Sequence, residues 1–251
     1  MCTLVILRRP GHAWPVILGA NRDEMLDRPW EPPARHWPDR AETVGGLDTL
    51  AGGSWLAIND HGVVAGILNR TGSLGPQSGK RSRGELVLEA LDHADAAAAA
   101  AALAAIEPRS YRSFNLIIAD NREGYWLRHA DPTGTLPISV TPLPDGLSMI
   151  ASSDLDDPHH PRLRTYLPRF RKAEPPDPER ADWGSWERLL ASEERAGKEP
   201  NGAMNVAMQE GFGTVSSALI ALPAIGRSGA RPLFRFATRR PIAGDWQDVP
   251  V

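Results

Sequence analysis

The residues MCTLVIL at positions 1–7 and VILGANRDE at positions 16–24 decide the predicted fold. Each stretch contains a short apolar run with β-branched residues, and the segment 8–12 between them holds a proline and a glycine, which are typical of a turn. We therefore predict a hairpin of two strands, 3–7 and 16–20. Because these runs contain almost no polar residues, we expect both faces of the strands to be buried.

The single cysteine of the chain, Cys2, directly follows Met1. Removal of Met1 would give Cys2 a free α-amine with a pKa of about 7.7 to 8.0, so that near neutrality a useful fraction of the amine can accept the thiol proton. Charged side chains end the second strand, and we expect Arg22, Asp23 and Glu24 to hold the ammonium form and to lower the thiol pKa. A small buried apolar residue is the more common role of a lone cysteine and is the alternative.

Composition limits the classes of partner. The 251 residues include 28 basic and 31 acidic residues, for a net charge of -3, and form no long run of either sign. This balance argues against nucleic acid or an anionic membrane surface as the main partner. A single cysteine excludes an internal disulfide, and the sequence shows neither a secretory signal nor an apolar run of roughly 18 residues. We expect a soluble cytoplasmic protein without membrane insertion, and one domain over residues 1–251, since no repeat or linker divides the chain.

The remaining periodicities predict hairpins interrupted by helices. Strands are predicted at 52–59 with 63–69, 114–119 with 125–129, 137–141 with 147–151, 214–222 and 232–238, and helices at 82–91, 96–102, 163–170 and 183–194. Ser82 and Glu85 form the pattern of a capping box, and residues 25–40, rich in Pro, Arg and Trp, are predicted to be a loop or lid. This order favours two stacked sheets covered by helices over a Rossmann sheet.

Five motifs together resemble the NRDE family, to which a eukaryotic transport and Golgi organisation protein belongs. They are MCT at 1–3, NRDE at 21–24, GGSWL at 52–56, FNL at 114–116 and GTVSS at 213–217. The family in turn resembles the N-terminal nucleophile (Ntn) hydrolases of the choloylglycine hydrolase and acid ceramidase type. That resemblance implies the α+β class, a four-layer αββα sandwich of two mainly antiparallel sheets, and cleavage of non-peptide C–N bonds, usually acyl amides, by a mature N-terminal cysteine.

The resemblance also implies roles for individual residues. Cys2 matches the nucleophile, and Asp23 matches the aspartate that holds the α-amine. Asn69 matches an asparagine that helps to form the oxyanion hole, where one donor is typically worth about 2.7 to 4 kcal/mol of transition-state stabilisation.

One departure from the family pattern concerns the arginine near the nucleophile. In the bile-salt and ceramide enzymes it stands a few residues before the aspartate, where this chain has Ala20, whereas here Arg22 is the direct neighbour of Asp23. Neighbours along a regular strand point to opposite faces, so Arg22 and Asp23 cannot both reach Cys2 unless the strand has ended or bulged. Asn21 shares the face of Asp23, and we predict it to be the second contact.

Four residues are predicted to bind substrate: Asn21, Glu24, Trp55 and Ser153. Ser153 lies near the position of a later asparagine of those enzymes, and Trp55 follows the glycine pair at 52–53 and could line a pocket. A further departure is Val215, which stands where the Gly-Thr-x-Ser motif of the family often has an arginine.

No metal site is predicted. The acids and histidines of residues 154–160 are the densest group of potential ligands, but their spacing matches neither a His-Glu-x-x-His helix nor an EF-hand loop, and two of the acids could cap the following helix. The glycine-rich nucleotide-binding motifs are also absent from the sequence.

Two functions remain open at this point. The first is a hydrolase that cleaves an acyl amide of a small-molecule substrate without a cofactor, with Cys2 as nucleophile and Arg22, Asp23 and Asn69 as the other catalytic candidates. The alternative is a non-catalytic binding or trafficking protein for haem or an acyl lipid, because relatives in the resembled family are connected with both. If the ligand were haem, a histidine or the Cys2 thiolate could serve as axial ligand.

Overall fold

The computed structural model describes residues 2–195, 202–207, 210–227, 229–239 and 244–251. The strands are Thr3–Arg8 (β1), Val16–Met25 (β2), Trp30–Ala34 (β3), Thr43–Asp48 (β4), Leu56–Asn59 (β5), Val64–Asn69 (β6), Phe114–Ala119 (β7), Gly124–His129 (β8), Ser139–Pro142 (β9), Gly146–Ile150 (β10), Phe212–Leu222 (β11), Leu233–Thr238 (β12) and Gln247–Val249 (β13). The α-helices are Gly84–Leu91 (α1), Ala96–Ala104 (α2), Pro161–Lys172 (α3) and Gly184–Leu190 (α4).

The strands form two antiparallel sheets. One has six strands in the order β10-β1-β2-β11-β12-β13, and the other has seven in the order β3-β4-β5-β6-β7-β8-β9. The chain accordingly divides into two compact units: unit 1 comprises Met1–Arg28 and Pro144–Pro250, and unit 2 comprises Pro29–Leu143. Two antiparallel sheets with few helices confirm the predicted α+β class, whereas the single domain over 1–251 stays a prediction.

Unit 1 contains the predicted N-terminal hairpin. β1 pairs with β2 from Thr3 opposite Asn21 to Arg8 opposite Val16, as the sequence predicts. α3 and α4 cover one face of this sheet, where Trp186 of α4 is fully buried and its ring would lie 3.1 Å from a Cβ at position 19. Gly19 therefore gives the indole room to lie on the strand. Residues Leu4 to Leu7 are all buried, so both faces of β1 are covered, as predicted.

Unit 2 has its own apolar core between its sheet and helices α1 and α2. The predicted hairpin of β5 and β6 is present, and Asn59 at its turn is fully buried. The Asn59 amide donates to the main-chain oxygens of Leu91 and His93, and its oxygen accepts from the Val63 amide. This side chain thus joins the hairpin to the end of α1. Among the described residues no helix has the length and apolarity needed to cross a membrane.

The predicted loop over 25–40 is wrong in part. Residues 30–34 form β3, which pairs with β4 at the edge of the seven-stranded sheet. Pro32 and Pro33 lack amide donors, but an edge strand can accommodate them because one side of its backbone needs no strand partner. The strand was not predicted because its prolines and charged residue give no alternating hydrophobic pattern.

The predicted hairpin of 137–141 with 147–151 is also wrong. β9 pairs with β8 in the seven-stranded sheet, whereas β10 pairs with β1 in the six-stranded sheet. The connection over 143–145 therefore leads the chain from one sheet to the other. A short polar connection between two strand patterns resembles a hairpin turn in sequence, and only the long-range pairing distinguishes the two.

The capping box at the start of α1 does not form. The helix begins at Gly84, and the Ser82 hydroxyl accepts from the Gly84 amide at 3.2 Å. Glu85 instead accepts a 2.6 Å hydrogen bond from the Tyr111 hydroxyl. A tertiary contact thus replaces the local one. The predicted helix over 183–194 is shorter as well, because α4 ends at Leu190.

A tight cross-strand contact in unit 2 makes Gly45 necessary. Gly45 pairs with Ala57, and a Cβ added at Gly45 would lie 2.3 Å from the Ala57 Cβ. We expect Gly45→Ala to lower the free energy of unfolding by about 1 to 3 kcal/mol, as overpacking typically does. Adding Ala57→Gly should recover most of this loss, since it removes the opposing methyl group. Urea unfolding of the single and double variants tests the pair, and a fully stable Gly45→Ala protein would contradict the expectation.

Candidate active site

The register of β1 against β2 sets which side chains share a face near Cys2. Thr3 pairs with Asn21, and continuing this register by one residue places Cys2 opposite Arg22. Directly opposed residues project from the same face of a sheet. Asn21 donates to a main-chain oxygen of α4, so its face is the one that the helices cover. Cys2 and Arg22 therefore lie on the other face, opposite to that of Asn21 and Thr3. The prediction that Asn21 is the second contact of Cys2 is therefore wrong, since Arg22 and not Asn21 shares its face.

The Cys2 thiol lies against the end of β2. Its Sγ is 3.6 Å from the main-chain oxygen of Asp23, and the residue is half-buried. Burial raises the pKa of the thiol above its ordinary value, and the negative charge of Asp23 raises this pKa further, whereas Arg22 lowers it. The expected lowering of the thiol pKa is therefore wrong, because burial and Asp23 outweigh Arg22. The protonated thiol therefore predominates at neutral pH, and a nucleophilic role requires a base that removes its proton.

The carboxylate of Asp23 is completely buried, and each of its oxygens accepts a hydrogen bond. Arg162 of α3 donates to Oδ2 at 3.0 Å, and the Thr214 hydroxyl donates to Oδ1 at 2.6 Å. The Val206 amide in turn donates to the Thr214 oxygen at 2.7 Å. A buried charge is tolerated when it is paired and hydrogen-bonded, and this carboxylate meets both conditions.

A β-bulge in β11 brings Thr214 to the carboxylate. Thr214 lies opposite Asp23 and Ser216 lies opposite Arg22, so Val215 is the extra residue between them. In a regular strand Thr214 and Ser216 would share a face, because they are two residues apart. The bulge reverses this relation and aims the Thr214 hydroxyl at the Asp23 side chain. β2 thus remains paired through Met25, and the irregularity considered for it lies in its partner strand.

Arg162 was not found from the sequence. Its guanidinium donates from Nη2 to Asp23 and from Nη1 to the Thr3 hydroxyl, although Arg162 lies 139 residues after Asp23 in sequence. Nothing local distinguishes Arg162 from the other arginines of an amphipathic helix. Thr214, in contrast, lies in the GTVSS motif at 213–217, one of the five motifs that carry the family resemblance.

Asn21 is almost completely buried, and hydrogen bonds occupy its amide. Its Nδ2 donates to the main-chain oxygens of Leu190 and Met204, both at 2.8 Å, and its Oδ1 accepts from the Ser217 hydroxyl at 2.7 Å. These bonds attach α4 and the segment 202–207 to the sheet. Substrate binding by Asn21 stays a prediction, and the contacts observed here are structural.

The other candidates in unit 1 are more accessible. Glu24 accepts from the Met25 amide through Oε1, and its Oε2 lies 3.9 Å from Arg22 Nη2 and 3.7 Å from Arg28 Nε. Its side chain is 27% exposed, so the carboxylate can still meet solvent or a ligand. Ser153 lies half-buried in the loop after β10.

Asn69 and Trp55 belong to unit 2. Asn69 ends β6 opposite Phe114 and is half-buried. Trp55 is half-buried, packs edge to face on Trp30 with ring centroids 5.8 Å apart, and covers Gly46, where a Cβ would lie 2.2 Å from the indole. The absence of a side chain at Gly46 therefore allows the Trp55 indole to lie against the backbone. The roles predicted for Asn69 in the oxyanion hole and for Trp55 in substrate binding stay predictions.

Within the described ranges, no group of three or more His, Cys, Asp or Glu side chains is arranged to hold a metal ion. The acids of residues 154–160 have other partners. Asp156 accepts from the Met149 amide at 2.6 Å, and Asp157 accepts from the His159 amide at 2.9 Å. These carboxylates therefore order the loop that precedes α3.

A family model for Transport and Golgi organisation 2 matches residues 1–222. The chain belongs to this family. The human Transport and Golgi organization protein 2 homolog is 35% identical over 148 residues, which cover 55% of this chain and 51% of the human protein. The aligned region of this family member thus spans about half the length of the curated relatives it matches.

Solved structures share the fold. An N-acylethanolamine-hydrolyzing acid amidase ortholog from Caenorhabditis elegans superimposes with a TM-score of 0.61 at 14% identity, covering 90% of this chain and 95% of that chain. Penicillin V acylase from Agrobacterium tumefaciens gives a TM-score of 0.53 at 14% identity, covering 98% and 86%. This family member therefore has the Ntn-hydrolase-like fold of these acylases, as its sequence resemblance implied.

The buried ion pair of Asp23 and Arg162 should contribute strongly to stability. We expect Arg162→Met to lower the free energy of unfolding by about 3 to 5 kcal/mol, because it leaves a buried carboxylate without its charge partner. Arg169→Met on the same helix is the matched control. Its pair with Glu194 is 36% and 63% exposed, so its loss should cost less than about 1 kcal/mol. Equal effects in urea unfolding would contradict a special role of the buried pair.

His160, the residue that precedes α3, should make stability depend on pH. Burial, followed by the positive charge of Arg162, lowers the pKa of His160 from 6.5 to about 4. Between these values the unfolded chain binds a proton that the folded chain does not, so stability should fall as the pH is lowered from about 6.5 to about 4. We expect a loss of about 1 to 3 kcal/mol over this range, absent in His160→Gln, from urea midpoints measured at each pH. An unchanged pH profile in the variant would refute the assignment to His160.

Proposed function

We propose that this chain is an N-terminal cysteine hydrolase of acyl amides, in which Cys2 becomes the first residue after removal of Met1. The observation that carries the proposal is the position of the Cys2 thiol, 3.6 Å from the main chain of Asp23 at the strand end whose buried carboxylate Arg162 and Thr214 hold. Nucleophile, anion and guanidinium groups are therefore concentrated at one end of the six-stranded sheet.

The chemistry follows from the state of the thiol. Because burial keeps the pKa of Cys2 high, the thiol needs a base, and the free α-amine is attached to the same residue. In the proposed reaction the amine takes the thiol proton, and Sγ attacks the amide carbonyl carbon. The tetrahedral intermediate expels the amine product, which leaves with the proton from the ammonium group. Water then hydrolyses the thioester, which releases the acid and restores Cys2.

The surrounding residues have distinct parts in this scheme. Asp23 orients the ammonium group, since its negative charge acts on Cys2. Arg22, opposite Cys2 and on the same face, stabilises the thiolate, in keeping with its lowering effect on the thiol pKa. Asn69 remains the predicted oxyanion donor from the sequence resemblance.

The substrate class is an acyl amide of a small molecule. Two of the structural neighbours are named for N-acylethanolamine hydrolysis and for acylase activity on penicillin V. Both compounds contain an acyl group joined to nitrogen, and this shared bond is what we transfer to the present chain. At 14% sequence identity, these two neighbours support a shared fold. Which acyl amide this chain hydrolyses has to be determined by experiment.

The nucleophile assignment is tested by mass and turnover together. We expect the intact mass of the purified protein to show loss of Met1, and we expect hydrolysis of at least one member of a panel containing N-acylethanolamines and penicillin V. Cys2→Ala should abolish this hydrolysis, because no other cysteine exists in the chain.

Three outcomes would contradict the proposal: retention of Met1, equal turnover by wild type and Cys2→Ala, or no hydrolysis of any acyl amide tested. Saturable binding of haem or an acyl-coenzyme A that survives Cys2→Ala, without turnover, would support the non-catalytic alternative instead. Cys2→Ser is the conservative control, since its hydroxyl has nearly the size of the thiol but is a weaker nucleophile at its ordinary pKa.

A further inference from the structure

We propose that Arg162 is the positioning residue of the Cys2 site, joining the side chains of Thr3 and Asp23 beside the nucleophile with one guanidinium group. The inference rests on the proposed function and adds to it a residue from a helix that the sequence motifs do not include. Arg162 is a positioning residue because its side chain is only 1% exposed and so lies away from any substrate in solvent.

The two arms of the guanidinium reach two different strands. Nη1 donates to the hydroxyl of Thr3, which directly follows Cys2 at the start of β1. Nη2 donates to the carboxylate of Asp23, whose main-chain oxygen contacts the Cys2 Sγ. The Arg162 guanidinium thus fixes both Thr3, which is next to the nucleophile, and Asp23, which contacts the sulfur of Cys2.

The planar fork of arginine is needed for this arrangement. Guanidinium presents donors at fixed angles and bridges two acceptors at once, whereas a lysine ammonium is a point charge on a flexible stem. The first two turns of α3 in turn fix Arg162, because Leu163, Tyr166 and Leu167 pack into the core of unit 1. A rigid helix therefore sets the separation of Thr3 and Asp23.

This arrangement predicts opposite changes in two properties of Cys2. Without the bridge the start of β1 loosens, and a misplacement of about 1 Å at a reacting group can cost roughly 100-fold in rate. The same loosening exposes the half-buried thiol to reagents. Turnover should therefore fall while chemical modification of the thiol becomes faster, a combination that a loss of charge or of substrate contact does not produce.

The experiment compares Thr3→Val, Arg162→Lys and the double variant of the processed full-length chain. Thr3→Val removes one acceptor with little change in shape, and Arg162→Lys keeps the charge but not the fork. We expect each single variant to lower kcat by roughly 10- to 100-fold with little change in KM, and the double variant to be no worse than the more affected single, because both break one unit.

Alkylation by iodoacetamide gives the second readout. Cys2 is the only cysteine, so the rate of modification reports this thiol alone and needs no substrate. We expect alkylation at neutral pH to be several-fold faster in Thr3→Val and in Arg162→Lys than in wild type. Thr3→Ser, which restores the hydroxyl, should return both readouts to near their wild-type values.

Matched controls separate this effect from general destabilisation. Arg169→Lys changes an exposed arginine of the same helix, and Thr43→Val changes a buried strand threonine of unit 2. Both should leave kcat and alkylation within about twofold of wild type, as expected for substitutions without a shared partner at the site.

The outcomes distinguish the two proposals. Unchanged alkylation in Thr3→Val and Arg162→Lys, or additive losses of kcat in the double variant, would overturn the positioning role of Arg162. If Arg162→Lys does not fold, Thr3→Val and its rescue by Thr3→Ser decide the question alone. Failure of the hydrolase proposal appears elsewhere, as turnover that survives Cys2→Ala, and in that case the alkylation rates still test whether Arg162 positions Cys2.

Discussion

The buried carboxylate of Asp23 is the constraint on which unit 1 depends. An isolated ionised group costs several kcal/mol in a protein interior, so the fold has to supply a cation and hydrogen-bond donors at this point. Arg162 arrives from α3 and Thr214 from β11, and each bonds a different oxygen of the carboxylate. Two segments that are distant in sequence are therefore required to meet at the strand end beside Cys2.

Strand geometry assigns these groups to two faces. Asp23, Thr3 and Arg162 form a buried network on the side that the helices cover, whereas Cys2 and Arg22 project from the opposite side. The main chain of Asp23 links the two, since its carbonyl oxygen touches the Cys2 sulfur while its carboxylate belongs to the network. The buried network and the Cys2 thiol thus lie on opposite faces of the sheet and are connected through the backbone of β2.

Local patterns in the sequence predicted the hairpins of β1 with β2 and of β5 with β6, because neighbouring apolar runs with a short turn define both. Long-range choices could not be predicted in this way. The segments 137–141 and 147–151 look like a hairpin but join different sheets, and Arg162 is one of several arginines in its helix. Motifs in the sequence selected Cys2 and Asp23 as candidate site residues. The contacts of Asp23 with Arg162 and Thr214 arise only on folding, so local patterns could not predict them.

The pairing order of the six-stranded sheet has a consequence for biosynthesis. β1 lies between β2 and β10, and β2 pairs with β11, which begins at Phe212. Unit 2 is continuous in sequence and can form while the chain is still being translated, but the sheet around Cys2 needs strands from near both ends. Contacts of such high sequence separation form slowly and late. The start of the nascent polypeptide consequently remains accessible throughout most of translation, before the sheet around Cys2 is complete.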